Sequence, residues 1–254
     1  MVQVTPTNRR DVLRAGAALA AGGALTTGCG NTGTATAAPP ATTPASASAS
    51  AAPKPLPAQI THGPRTRPQV ALTFHGQGDP ALATQLLTTA EKHGARLTVL
   101  AVGTWLDTYP AMARRVLDGG HDLGNHTQRH ISINAMSETD ARREIADCAE
   151  RLRRLTGSIG RWFRPSRAPT ATPLVVRLAA GVGYPHVLSY DVDSLDYTRP
   201  GATAITRKVL AEATGGSVVS MHFGYPDTVA ALPAVLQELD RRGLRAVTTT
   251  ELLS

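Results

Sequence analysis

An α/β fold, an irregular (β/α) barrel of about seven parallel strands, is predicted from three features of this sequence. From Gln69 onward short apolar runs alternate with stretches of helical periodicity. The runs are apolar enough to be strands covered on both faces, as parallel strands are. Polar residues also close the runs: His75, His126, Arg164, Asp191, Asp193 and His222 each end or follow one. Barrels gather their chemistry at the C-terminal ends of strands, so these positions predict an active site.

The chain has 254 residues, room for one domain of about 200 residues and appendages. Residues 1–28 read as a twin-arginine-type lipoprotein signal peptide. Arg9 and Arg10 precede Leu13 and an Ala/Gly-rich apolar run over residues 15–25. That run is shorter than the roughly 20 residues a membrane span needs. Thr26, Thr27 and Gly28 lead to Cys29, the expected lipidation site, although Leu25 stands one place earlier than usual. Residues 29–58 are Ala, Thr, Ser and Pro with scarcely a charge, a composition too poor in apolar bulk to fold. They predict a tether with a reach on the order of 30 Å. The expected location is the outer face of the cell membrane or the wall, lipid-anchored or secreted, with the membrane as a partner through the lipid.

In the folded part, residues 59–254, strands are predicted at 70–74, 97–102, 122–125, 161–164, 186–190, 217–221 and 245–248. The clearest helix runs over 137–155, where Ala141, Ile145, Cys148, Leu152 and Leu155 make one apolar stripe. Ser137 is its expected N-cap and Gly157 its stop. Cys148 on that stripe is read as a small core residue, and no disulfide to Cys29 is expected.

Composition narrows the function classes. Aromatic residues are 4% of the chain, which argues against a base-stacking surface, and no nucleic-acid partner is expected. The net charge is +7; Arg9, Arg10 and Arg14 against Asp11 supply +2 of it, leaving +5 on the remainder. Arg142, Arg143, Arg151, Arg153 and Arg154 stand near Glu144, Asp147 and Glu150, the pattern of a solvated helix face with local pairs. Attraction to anionic wall polymers is the alternative.

In GHDLGNHTQRH, His126 and His130 stand four apart, and a helical turn there would aim both imidazoles to one side, as a metal site requires. This segment resembles the second motif of the NodB homology (polysaccharide deacetylase, carbohydrate esterase family 4) family. ALTFHGQGDP sits where that family has TFDDGP, RWFRPS resembles its third motif, DVDSLDY its fourth and SVVSMHFG its fifth. The likeness spans about Gln69 to Leu253. It implies a metal-dependent hydrolase that removes acetyl groups from N-acetylated amino-sugar polymers, peptidoglycan or chitin-like, by cutting a carbon–nitrogen bond; a monomer is the separate expectation. A divalent metal, zinc by expectation, is implied on His126 and His130. His222 maps onto the general acid, Asp193 or Asp196 onto the carboxylate that orients it, and Arg164 onto the arginine that pairs with the base. A metal polarises the acyl oxygen and lowers the pKa of water, and an imidazole held by a carboxylate keeps the tautomer that hands on a proton.

The first motif departs from the family. Its two aspartates, base and metal ligand, fall on His75 and Gly76. Three readings stay open: His75 as a third ligand, His75 as the base with Asp79 or water completing the site, or a site without catalysis in a glycan-binding envelope lipoprotein. Asp79 follows a Gly-rich loop that could bring it to substrate or metal, but Asp before Pro80 is also a usual helix N-cap. Arg167 and Ser166 replace an aromatic or apolar residue and a proline of the third motif, and Ile131 a proline after the second. Tyr197 is the expected wall of the acetyl pocket and Tyr225 a lesser substrate contact. Trp105 and Trp162 read equally as sugar platforms or core. His93, His121 and His186 are not expected to be ligands.

Overall fold

The computed structural model describes residues 55–254. The signal segment, Cys29 and the tether up to residue 54 lie outside the described residues. Strands and helices alternate as predicted: β1 (Gln59–Ile60), β2 (Gln69–Gly76), α1 (Pro80–Lys92), β3 (Thr98–Ala101), α2 (Gly103–Thr108), α3 (Ala111–Asp118) and β4 (Asp122–Asn125). They continue as α4 (Glu138–Thr156), α5 (Pro173–Val182), β5 (Val187–Leu188), β6 (Val192–Asp193), α6 (Ala202–Glu212) and β7 (Val218–His222). The chain closes with α7 (Pro226–Arg241), β8 (Arg245–Val247) and α8 (Thr249–Leu252).

Every ladder among the described residues is parallel, with one isolated antiparallel bridge between His62 and Ser217. The main sheet runs β4-β3-β2-β7-β6, with β8 also on β2. One edge of β2 is shared: residues 69–71 pair with β8 and residues 73–76 with β3, while β7 occupies the other edge. β1 and β5 form a second ladder, and Phe163 bridges singly to Asn125 and to Val187 between the two sheets. The fold class is therefore α/β with parallel strands.

Two strand expectations change. Residues 161–164 pair only through Phe163, because Gly160 is left-handed and Pro165 lacks the N–H needed to continue a ladder. Residues 186–190 shorten to β5, and β1 and β6 appear where no apolar run marks them. Packing also begins before Gln59: Leu56 lies against the core, Pro57 O accepts from His186 Nδ1 at 2.8 Å, and Ala58 O accepts from Val187 N at 2.8 Å.

Helix α4 follows its caps. Ser137 Oγ accepts from Asp140 N, and Gly157 closes the helix at φ 84° with its N–H on Arg153 O. Its stripe of Ala141, Ile145, Cys148 and Leu152 is buried, each large apolar side chain stabilising by about 1.5–3 kcal/mol. Burial pushes the Cys148 thiol up to about 12, so it is inert. The polar face carries the local pairs Arg143–Asp140 and Arg153–Glu150, whereas Glu144 is buried and turns to Arg129. Both tryptophans are core: Trp105 Nε1 donates to Gly78 O at 2.8 Å, and Trp162 Nε1 to Thr250 Oγ1 at 3.0 Å.

The close approach beneath the third motif gives a test of the fold. A Cβ on Gly160 would fall 2.3 Å from Leu123 O, and its φ is +75°. Gly160→Ala is expected to cost about 2–4 kcal/mol, the sum of left-handed strain and overpacking. An unchanged denaturation midpoint would contradict this packing.

Candidate active site

Strand order assembles the site. β2 and β7 are neighbours in register, so His75 and His222 are Cα partners at adjacent strand ends, with ring centroids 4.2 Å apart. β4 delivers His126, whose ring lies 4.2 Å from His75 and 4.8 Å from His130. Residues 126–130 do not form a helical turn. Thr127 and His130 are left-handed at φ 67° and 56°, and this loop, not helical spacing, aims the two imidazoles together. Buried Asn125 holds it, accepting from Thr127 N and donating to Ile145 O. Glu144 accepts from the Arg129 N–H at 2.8 Å and from its guanidinium.

His126 Nδ1 donates to Arg164 O at 3.1 Å, which fixes the tautomer and leaves the Nε2 lone pair free. That Nε2 and both ring nitrogens of His75 are buried without a hydrogen-bond partner. Buried polar atoms are normally satisfied. One ring nitrogen from each of His75, His126 and His130 lies within 4.8 Å of the others, so the three could hold a metal ion. Three neutral imidazoles are a suitable donor set. Gly76 supplies nothing, and a Cβ there would press on Ala101 Cα and Val99 Cγ1, each at 3.0 Å.

A histidine–aspartate pair lies beside this cluster. His222 Nδ1 and Asp196 Oδ1 are 2.6 Å apart, and Asp196 Oδ2 accepts from His222 N at 2.8 Å and from Thr228 Oγ1 at 2.7 Å. Asp196 is fully buried, so its acceptor sites are filled where water cannot compete. Of the two fourth-motif aspartates, Asp196 therefore orients the histidine. Asp193 accepts from Leu195 N and lines the cleft near Tyr190 and Arg164. Burial, then the charge of Asp193, pushes the Tyr190 phenol up to about 12.

Arg164 is buried, donating to Leu188 O and Ser189 O at 3.0 Å each, with Nη1 unpartnered. Desolvation lowers it to about 10, still cationic at neutral pH. The cleft of about 560 Å³ above the histidines is lined by His75, His130, Arg167, Asp193, Tyr197, Ser220, His222 and Tyr225, among others. Tyr197 and Tyr225 stand edge-on to His222 at 5.3 and 6.0 Å. Asp79 is exposed and caps α1 through Ala81 N at 2.8 Å, as its place before Pro80 suggested, and other residues line the cleft. His93 ends α1, and His121 is held by Leu97 N and Glu91 away from the cluster. Sequence reading missed Thr228 and Tyr190. Neither carries a motif signal, except that Thr228 stands at the start of a helix entered by Pro226.

Burial, followed by neighbouring positive charge, lowers His75 and His126 well below the usual 6.5 and His130 to about 4. The folded metal-free chain thus binds fewer protons than the unfolded chain below pH 6.5. Their contribution to stability is present above that pH and is lost as the pH falls from 6.5 toward about 4. The unfolding midpoint of the metal-free chain should be flat above about pH 7 and fall through this window. A midpoint that rises on acidification would contradict three neutral imidazoles in this cluster.

A family model described as polysaccharide deacetylase matches residues 62–187. A peptidoglycan-N-acetylglucosamine deacetylase of Bacillus cereus is 31% identical over 194 residues, covering 75% of this chain and 90% of that protein. The chain belongs to the polysaccharide deacetylase family. Two solved structures of this family, CE4, share its fold. One is the Bc1960 peptidoglycan N-acetylglucosamine deacetylase in complex with an N-hydroxybenzamide, at TM-score 0.72 and 26% identity, covering 77% of this chain and 92% of that one. The other is a mutant of a CE4-family pseudoenzyme with restored enzymatic activity, its wild type from Bacillus anthracis, at TM-score 0.74 and 25% identity, covering 78% and 72%. Family membership thus joins this chain both to deacetylases and to a pseudoenzyme, and the chemistry of its own site has to decide between them.

Proposed function

We propose that this chain is a metal-dependent hydrolase that removes acetyl groups from N-acetylated amino-sugar polymers through a histidine-only metal site. The observation that carries this reading is the His222–Asp196 pair, 2.6 Å apart, set against a cluster of three imidazoles with orphaned buried nitrogens. His75, His126 and His130 would hold the metal, and imidazole donors favour zinc over magnesium or calcium. Such a cation supplies Lewis-acid polarisation of the acyl oxygen and a more acidic water.

The protein's own groups do the rest. With His75 turned to the metal and no first-motif carboxylate, His222 is the imidazole placed to move protons. Its Nε2 takes the proton released as water adds to the acyl carbon, and Asp196 stabilises the resulting imidazolium. As the C–N bond breaks, His222 returns that proton to the departing amine, and the carboxylic acid proton that remains passes to solvent or to the amine, leaving acetate and an amino sugar. Tyr197 and Tyr225 flank His222 and exclude water from one side of the acetyl group. Arg164 fixes His126 through its carbonyl, a positioning role instead of the base pairing expected of it.

A second reading, glycan binding without turnover, is favoured by the loss of both first-motif carboxylates. It predicts capture of glycan without release of acetate. We also infer export by residues 1–28 and lipid anchoring at Cys29, which would place the domain on a tether outside the membrane. Among the described residues no helix is long and apolar enough to cross a membrane.

The test is acetate release by the full chain from acetylated chitin oligomers and peptidoglycan. Release that is lost on chelation and regained with zinc is the expected result. Glycan binding with no release under any metal would favour the second reading.

A further inference from the structure

We propose that the cleft selects an acetylated sugar polymer that carries carboxylates, with Arg167 and Arg199 as its specificity-determining contacts. The acetylated sugar in this statement rests on the proposed deacetylase reading; the charge preference rests on the arginines alone.

Arg167 and Arg199 line two neighbouring cavities that share His75, His130, His222 and Tyr225. Both arginines are exposed, and neither forms an ion pair among the described residues. Other exposed arginines, such as Arg142 and Arg207, are also outside the ion pairs; Arg167 and Arg199 differ in lining the cavities beside the histidines. Asp193 is the single carboxylate residue lining either cavity, and its charge is felt by buried Arg164.

Their backbone is the second, independent observation. Five non-glycine residues among those described have positive φ: Thr127, His130, Arg167, Leu195 and Arg199. Thr127 and His130 follow β4, Leu195 and Arg199 follow β6, and Arg167 lies in the loop between α4 and α5. L-residues adopt this conformation at a cost, and such strain persists where the surroundings over-determine it, characteristically at binding sites. Glycine or asparagine would sit there more easily, yet the chain has arginine at φ 54° and 56°. The Arg199 guanidinium also lies 5.8 Å from the Tyr225 ring centroid, which restricts it beside His222. Two guanidinium forks without an ion-pair partner, one of them held on Tyr225, match a carboxylate on the substrate, and Arg suits that bidentate contact better than Lys.

The test is calorimetric binding to the full chain, read without turnover. The probes are chitin oligomers, which are neutral; peptide-free strands alternating N-acetylglucosamine and N-acetylmuramic acid; and hyaluronan oligomers, whose carboxylates are uronic. At low salt an acidic glycan should bind about tenfold tighter than chitin of equal length, the preference shrinking as salt rises. Arg167→Gly and Arg199→Gly should each reduce that ratio by about fivefold. Because glycine suits the left-handed backbone, neither variant should unfold at a lower temperature. Preference for one acidic glycan over the other identifies which carboxylate is read. Equal affinity for neutral and acidic probes, or a preference that survives both substitutions, overturns the proposal. Absence of acetate release from every glycan would sink the hydrolase reading and leave these ratios to judge the arginines.

Discussion

His75→Ala is expected to weaken zinc binding by about 100-fold or more, the largest effect of any single substitution in the cluster. Even partners one shell away from a metal cost about 10–100-fold when removed, and His75 is assigned to the metal directly. Its two ring nitrogens are buried without partners, so the side chain has no hydrogen bonds of its own to justify its position. Its ring sits between those of His126 and His222, 4.2 Å from each. The measurement is competition with a chromophoric chelator on the full chain. Wild-type affinity in the alanine variant would remove His75 from the ligand set and return it to the role of a base.

His222→Ala is expected to lower acetate release by about 10²–10⁴-fold while leaving metal affinity close to wild type, because proton transfer by a positioned side chain is worth that much. The separation of the two effects is what the geometry predicts. His222 Nδ1 is engaged by Asp196, and His222 is not part of the three-imidazole set. Asp196→Asn should slow release with the same sparing of metal, since an amide does not hold the ring in one tautomer and cannot stabilise its charged form. Turnover unchanged in His222→Ala would reject the proton-transfer assignment.

The fold was legible in the sequence where burial is two-sided. β2, β3 and β7 coincide with apolar runs, because strands covered on both faces need mostly apolar side chains, whereas β4 (DLGN) and β8 (RAV) carry polar or exposed residues. β1 and β6 were not legible. Each is two residues long, and β1 follows directly on a segment whose composition resembles the tether. Helix α4 was legible to within a residue because Ser137 and Gly157 punctuate it.

The site was legible in its residues more than in its geometry. Motif order located His126, His130 and His222, but spacing suggested a helical turn where two left-handed residues make the juxtaposition. Asp193 and Asp196 lie too close in sequence to be told apart. The choice is made by Thr228, 32 residues further on, whose hydroxyl joins the His222 backbone N–H on one oxygen of Asp196. Asp79 illustrates the reverse: loop flexibility admitted it to the site, while its own carboxylate satisfies the first turn of α1. Arg167 and Arg199 carried no distinct charge signal among 26 basic residues, because their place beside the histidines is set by the fold and not by their sequence neighbours.

The most direct test of the account is X-ray absorption at the zinc edge of the full chain loaded with one equivalent of zinc. The account predicts three imidazole nitrogens at about 2.0–2.1 Å, with the imidazole count falling to two in His75→Ala. Two imidazoles and a carboxylate in the native chain, or a spectrum indifferent to His75, would contradict the histidine-only site.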